Sequence, residues 1–235
     1  MTAQTLPIEL HYAGTPNGRK ISIMLEELGV PYTIKFVRIG RGDQFKPEFL
    51  AISPNNKIPA IVDPEGPDGK PISVFESGAI LKYLGLKFGK FYPSEMRAQV
   101  AVDEWLFWQV GGFGPMLGQN HHFTLYAEEK VPYAIKRYLD ETHRLYGVLN
   151  KRLAERDYVA GDYSIADMAI IGWANGYARQ GIDIAEFPHF AAWHGRINAR
   201  PAVIRALAIQ TPPAEETDVS NDKVAQAVLF NQRAR

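Results

Sequence analysis

The chain has 235 residues, enough for one or two domains, and a hydrophobic content of 46% that supports a packed core. Lys plus Arg and Asp plus Glu both number 26, so the formal net charge is zero; this argues against general nucleic-acid or anionic-membrane binding, which draw on a basic excess. The absence of cysteine excludes a disulfide framework, a Cys-based zinc site and a protein thiol nucleophile.

Ile8, Leu10 and Tyr12 alternate with Glu9 and His11, which predicts a short strand. From Asn17 the period changes. Ile21, Met24, Leu25 and Leu28 fall on one helical face, and Gly29 stops the helix. Tyr32, Ile34 and Phe36 alternate again as a second strand, and "FKPEFLAIS" holds one short helix with Pro47 in its first turn. "KIPAIV" and "ISVF" read as two strands of a hairpin across the turn-rich "DPEGPDGKP". Ser77 then opens a helix through Ala79, Ile80, Tyr83 and Leu84.

After "FGKFYPSE" the strand signals cease. "AQVAVDEWLFWQV" is helical, and "GGFGPMLGQ" is expected to bend or break it. Long helices follow over about 132–156 and 164–179, with shorter ones around "FPHFAAWHGRINAR" and "PAVIRALAI". "TPPAEETD" reads as a linker, and "NDKVAQAVLF" as a last short helix. The expected class is α/β plus all-α: an α/β domain over 1–90, an all-helical domain over 95–210 and a polar tail over 211–235.

Four stretches bear on chemistry. "YAGTPNG" passes from strand to helix and offers only Thr15, Pro16 and Asn17, none a strong acid, base or nucleophile. In "NNKIPAIV", the Ile58–Pro59 bond either marks a strand edge in the trans form or is cis; a cis bond would free the backbone of Ile58 to pair with a peptide-like ligand. In "FESGAI", Ser77 is either an ordinary helix cap or, with the helix N–H groups, a carboxylate site, while Glu76 suits an amine; together they would match an α-amino-acid head group. In "YSIADMAI", Ser164 and Asp167 have the spacing of a structural capping box. His121 and His122 look like a metal pair but lack ligand partners at suitable spacing, so no metal is expected.

The order β-α-β-β, with Ile-Pro before the third strand and Glu-Ser opening the helix after the hairpin, resembles the thioredoxin-like N-terminal domain of glutathione transferases. Ser-Ile-Ala-Asp resembles the capping box of their C-terminal helical domain. "TPNGRKISIMLEELGVPY", "ISPNNKIPAIVD", "FESGAIL", "WLFWQVGGFGPMLGQNHHF" and "PYAIKRY" are similar to one branch in particular, the bacterial nu class of glutathione-dependent disulfide-bond oxidoreductases, with related fungal proteins. The resemblance spans roughly residues 7–210.

It implies glutathione as cosubstrate, small disulfides as substrates, and a homodimer. Thr15 stands where some classes put a catalytic serine or cysteine, and Tyr12 is the fallback for a tyrosine-type site. In the nu class the Thr-Pro-Asn loop faces the sulfurs, which implies catalytic roles for Thr15 and Asn17 with glutathione itself as the nucleophile. Asn17, Gln44, Lys57, Ile58, Pro59, Glu76 and Ser77 are implied glutathione contacts. Arg137 is either a family arginine facing the site or a solvated helix charge. The alternatives are a conventional transferase or peroxidase acting on electrophiles and a noncatalytic glutathione-binding regulator of the same fold. No apolar run approaches the ~20 residues of a membrane-spanning helix, and "MTAQTLPIEL" lacks the pattern of a signal peptide, so a cytoplasmic location is expected.

Overall fold

A computed structural model describes residues 5–212, 219 and 221–232. They separate into two compact units, one within Met1–Tyr83 and Arg205–Arg235, the other Leu84–Ile204.

The first unit is built on a four-stranded sheet ordered β2-β1-β3-β4: β1 (Ile8–Tyr12), β2 (Tyr32–Phe36), β3 (Ala60–Asp63) and β4 (Ile72–Phe75). β1 runs parallel to β2 with Leu10 opposite Ile34, and antiparallel to β3 with Leu10 opposite Ile61. β3 and β4 form the expected antiparallel hairpin. Ile8, Leu10, Tyr12, Ala60 and Ile61 are fully buried, as central strands should be.

Between β1 and β2 lies α1 (Pro16–Leu28), capped by Thr15 and closed by Gly29 at φ 67°, a left-handed conformation that glycine adopts at little cost. Gly18 allows α1 to approach β1: a Cβ there would stand 2.3 Å from the Ala13 carbonyl oxygen. The short α2 (Pro47–Leu50) precedes β3, and α3 (Ser77–Phe88) follows β4.

The second unit contains α4 (Met96–Trp108), α5 (Gly114–His121), α6 (Pro132–Arg152), α7 (Ile165–Ala174) and α8 (Pro188–Asn198), with α9 (Pro201–Leu207) beginning in it. Its core is aromatic, with Phe113, Tyr146, Phe190 and Trp193 fully buried.

Two expectations need correction. First, "GGFGPMLGQ" does not break the helix. The chain widens into a π-turn at Gln109–Phe113 and continues directly into α5, keeping helical backbone angles at Phe113 and Gly114. Its glycines serve the interior: a Cβ on Gly114 would meet Gln109 Nε2 at 2.7 Å and Trp173 Nε1 at 3.1 Å, and one on Gly118 would lie 3.3 Å from Trp173. Gly114 and Gly118 leave room for Trp173 of the same unit, and Leu106, Phe113 and Leu117 are core residues.

Second, the helix beginning at Ser164 ends at Ala174, and Tyr177–Gln180 is a separate 3-10 turn beyond Gly176. The described part of the tail falls within the first unit. Arg41 pairs with Asp222 at 2.8 Å, and α10 (Lys223–Phe230) packs on the 3-10 turn Ile39–Arg41. Among the described residues no helix is long and apolar enough to cross a membrane.

Candidate functional site

At the ends of α1 and α3 in the first unit lies a cavity of about 210 Å³, lined by Asn17, Asn55, Lys57, Ile58, Pro59, Phe75, Glu76 and Ser77. The parallel and antiparallel pairings bring these segments together. β1 delivers α1 at the sheet end where His11 faces Ala60, and Ala60 in turn faces Phe75, so the starts of α1, β3 and α3 share one edge. The Ile58–Pro59 peptide at the head of β3 is cis.

At α1, Thr15 Oγ1 accepts from Gly18 N at 3.2 Å, and the Thr15 carbonyl accepts from Arg19 N at 3.0 Å. Pro16 brings no N–H. Asn17 is therefore the helix-start residue that carries a side-chain amide to the cavity, and Thr15 is the cap beside it. Tyr12 is fully buried in the sheet, and burial raises its hydroxyl above the ordinary tyrosine range.

At α3, the Glu76 carbonyl accepts the first helical bond, from Ile80 N at 2.9 Å. Glu76 thus holds the cap position, yet its φ is 68°, in a left-handed region that costs a non-glycine residue about 1–2 kcal/mol. Its carboxylate is exposed and accepts from Asn55 Nδ2 at 3.3 Å. Ser77, by contrast, is buried. Its Oγ accepts from the ammonium of Lys20, at 3.2 Å. Lys20 is only 2% exposed, and burial lowers its pKa to about 7 against the attraction of Glu76.

Lys57 lines the cavity with its ammonium donating to Gln232 Oε1 at 2.9 Å, and burial lowers its pKa. Gln44 does not line the cavity: it is buried, with its amide donating to the Ile39 carbonyl at 2.9 Å. Arg137 belongs to the second unit, where it lies on α6 with its guanidinium 3.7 Å from Glu141. Ser164 and Asp167 form the expected capping box at α7. Among the described residues no group of three or more His, Asp or Glu side chains is placed to hold a metal ion, and burial lowers His121 to about 4.

The sequence reading missed Asn55, Phe75 and Lys20. For Lys20 a signal existed: it stands four residues before Met24, which places it on the buried stripe of α1. A larger cavity of about 370 Å³ in the second unit is lined by Arg156, Asp157, His189 and Arg196 among others, but Arg196 and Asp157 already pair at 2.8 Å. The first cavity combines carboxylate, amide, hydroxyl and ammonium groups at two helix starts, an arrangement that suits a zwitterionic, peptide-like molecule.

A thioredoxin-like sheet domain joined in one chain to a helical domain defines a glutathione-transferase-type protein. Residues 15–86 match the glutathione S-transferase N-terminal domain and residues 115–201 its C-terminal domain, and the chain belongs to that family. It is 56% identical over 202 residues to the disulfide-bond oxidoreductase YfcG of Escherichia coli, covering 85% of this chain and 94% of that protein. Among solved structures, a glutathione transferase family member from Pseudomonas fluorescens with two glutathione bound superposes with a TM-score of 0.82 at 44% identity, over 86% of this chain and 93% of that one. A glutathione transferase from Pseudomonas putida with one glutathione disulfide bound per subunit gives 0.82 at 40% identity, over 87% and 92%.

Proposed function

We propose that the chain is a glutathione-dependent disulfide-bond oxidoreductase of the nu-class type, and that the cavity at α1 and α3 binds the tripeptide. The observation that carries this is the convergence of Asn17, the Ile58 segment and the Glu76–Ser77 pair on one cavity in a protein without cysteine. In this reading Glu76 takes the α-amino group, Ser77 and the start of α3 take the α-carboxylate, and Ile58 and Lys57 take the glycyl end. The relatives' names and ligands support the choice of chemistry.

The protein then needs no nucleophile of its own. A glutathione thiolate attacks one sulfur of the substrate disulfide, forming a mixed disulfide and expelling the other sulfur as a thiolate. A second glutathione thiolate attacks the glutathione sulfur of that mixed disulfide, giving glutathione disulfide and the second product thiolate. The two protons lost by the glutathione thiols go to the two product thiolates. Lowering a thiol pKa from about 8.5 to 7 takes ~2 kcal/mol. A helix N-terminus supplies only ~0.3–1 kcal/mol, whereas a hydrogen bond to a charged group adds ~1.5–3 kcal/mol. Asn17, with Thr15 beside it, fills that second role. Tyr12 is unsuited to it, being sealed in the core.

The same reading includes a cytoplasmic site of action, where reduced glutathione is held, and a homodimer. One face of α4 leaves Met96, Val100 and Phe107 exposed, apolar surface that a second copy would cover. Sedimentation at micromolar concentration checks this, and a monomer contradicts it. The function is tested by parallel assays of glutathione-dependent reduction of hydroxyethyl disulfide and of conjugation to an aryl halide. The proposal expects disulfide reduction to dominate. Conjugation alone would make the protein a conventional transferase, and binding without either activity would make it a noncatalytic glutathione binder.

A further inference from the structure

We infer that Lys20 is a positioning residue for glutathione: its buried ammonium fixes the direction of the Ser77 hydroxyl and stands as a positive charge behind the ligand's α-carboxylate. The inference rests on the proposed glutathione site.

An ammonium carries three donors and no acceptor. Because Lys20 Nζ donates to Ser77 Oγ at 3.2 Å, the hydroxyl's own proton is turned away from Lys20. Ser77 lines the cavity, so that proton is available to a carboxylate bound there. A neutral Lys20 reverses the arrangement. Its lone pair would accept the Ser77 proton, and the hydroxyl would present only lone pairs to an incoming carboxylate. Carboxylate binding and protonation of Lys20 are thereby coupled.

Burial makes the coupling matter. An ammonium is costly to remove from water, and Lys20 is 2% exposed on a helix face shared with the buried Ile23 and Met24. A purely apolar packing role at this position needs no charge. The charged group acting on it from across the helix pair is Glu76, which favours the ammonium, while burial opposes it and wins, holding the pKa at about 7. A second negative charge, the ligand's carboxylate, adds to the pull of Glu76. The bound state should therefore hold the proton to higher pH than the free state.

The test is calorimetric binding of S-methylglutathione, whose sulfur does not titrate, at pH 6 and pH 8 in buffers of different ionisation enthalpy. At pH 6 Lys20 is charged in both states, and no proton uptake is expected. At pH 8 more than half a proton should be taken up, and affinity should fall by about six- to tenfold from its pH 6 value. Lys20→Met should bind more weakly at pH 6 and lose both the uptake and the pH dependence. Lys20→Arg, permanently charged, should keep its affinity at pH 8 without uptake. If Lys20→Met does not fold, the wild-type proton count and Lys20→Arg decide.

Tight binding with no uptake at pH 8, or uptake that persists in the Lys20 variants, overturns the role of Lys20 while leaving the glutathione site intact. Absence of binding to the wild type at both pH values overturns the site and the inference together.

Discussion

α3 and α7 both begin at a serine with a carboxylate close by, and they use that pair in opposite ways. At α7 the acid lies inside the helix. Asp167 Oδ2 accepts from Ser164 N at 3.1 Å and from its hydroxyl at 3.2 Å, while Oδ1 accepts from Val159 N at 3.1 Å and Trp193 Nε1 at 2.9 Å. Both residues are buried. At α3 the acid precedes the serine. Glu76 turns its carboxylate toward Asn55 rather than onto the helix it opens, its backbone is held at φ 68°, and the carboxylate stays exposed. An acid three residues into the helix completes a structural cap, whereas one placed just before the serine is left facing a cavity.

The comparison breaks first at α7 if the box is not structural. Asp167→Ala strands the Val159 and Ser164 amides and the Trp193 indole N–H; at ~1–3 kcal/mol for each buried donor left unpaired, it should cost at least about 3 kcal/mol. Urea denaturation reads this, and a loss below about 1 kcal/mol, the value of an ordinary cap, would contradict it.

The same residue makes a pH prediction. Burial raises the Asp167 carboxyl to about 6, above its unfolded value of about 3.9. Between those values the folded state holds more protons than the unfolded state, so this group's contribution to stability is full below pH 4 and declines as pH rises through 6. Urea midpoints of the wild type minus those of Asp167→Asn, taken at pH 4, 5 and 6, should fall with pH; a flat or rising difference would contradict the assignment.

At α3 the expected effects are on binding instead. Glu76→Ala and Ser77→Ala should each weaken glutathione by ~1.5–3 kcal/mol, about ten- to a hundredfold, and Glu76→Ala, at an exposed side chain, should change stability far less than Asp167→Ala. Calorimetric affinity unchanged in both variants would mean that the head group binds elsewhere.

Much of this contrast was legible before any coordinates. Ser-x-x-Asp ahead of an apolar run declares its cap, because the geometry it needs lies within one helical turn. Alternation in Ile8–Tyr12 and the turn residues after Asp63 declare the sheet and its hairpin. What stayed hidden depends on contacts distant in sequence. The 3.2 Å bond from Lys20 to Ser77 joins residues 57 apart. Asn55 reaches Glu76 only after the strands align. Gly114 and Gly118 read as a bend or a break because nothing local marks Trp173 as the side chain that packs against them. Gln44, named from resemblance alone, holds the Ile39 carbonyl with its amide nitrogen, a contact within its loop that no local pattern marks.

The central claim is that the start of α1 polarises glutathione's sulfur while Tyr12 only packs the core. It is tested most directly by reduction of one small disulfide at saturating glutathione, comparing wild type with Asn17→Ala, Thr15→Ala and Tyr12→Phe. Loss of a hydrogen bond to a thiolate predicts a fall of about ten- to a hundredfold for Asn17→Ala. Thr15→Ala should fall less, since the helix donors remain, and Tyr12→Phe should stay within about twofold, in keeping with a hydroxyl that takes no part in the chemistry. A Tyr12→Phe variant that loses most of the activity while Asn17→Ala retains it would contradict the account.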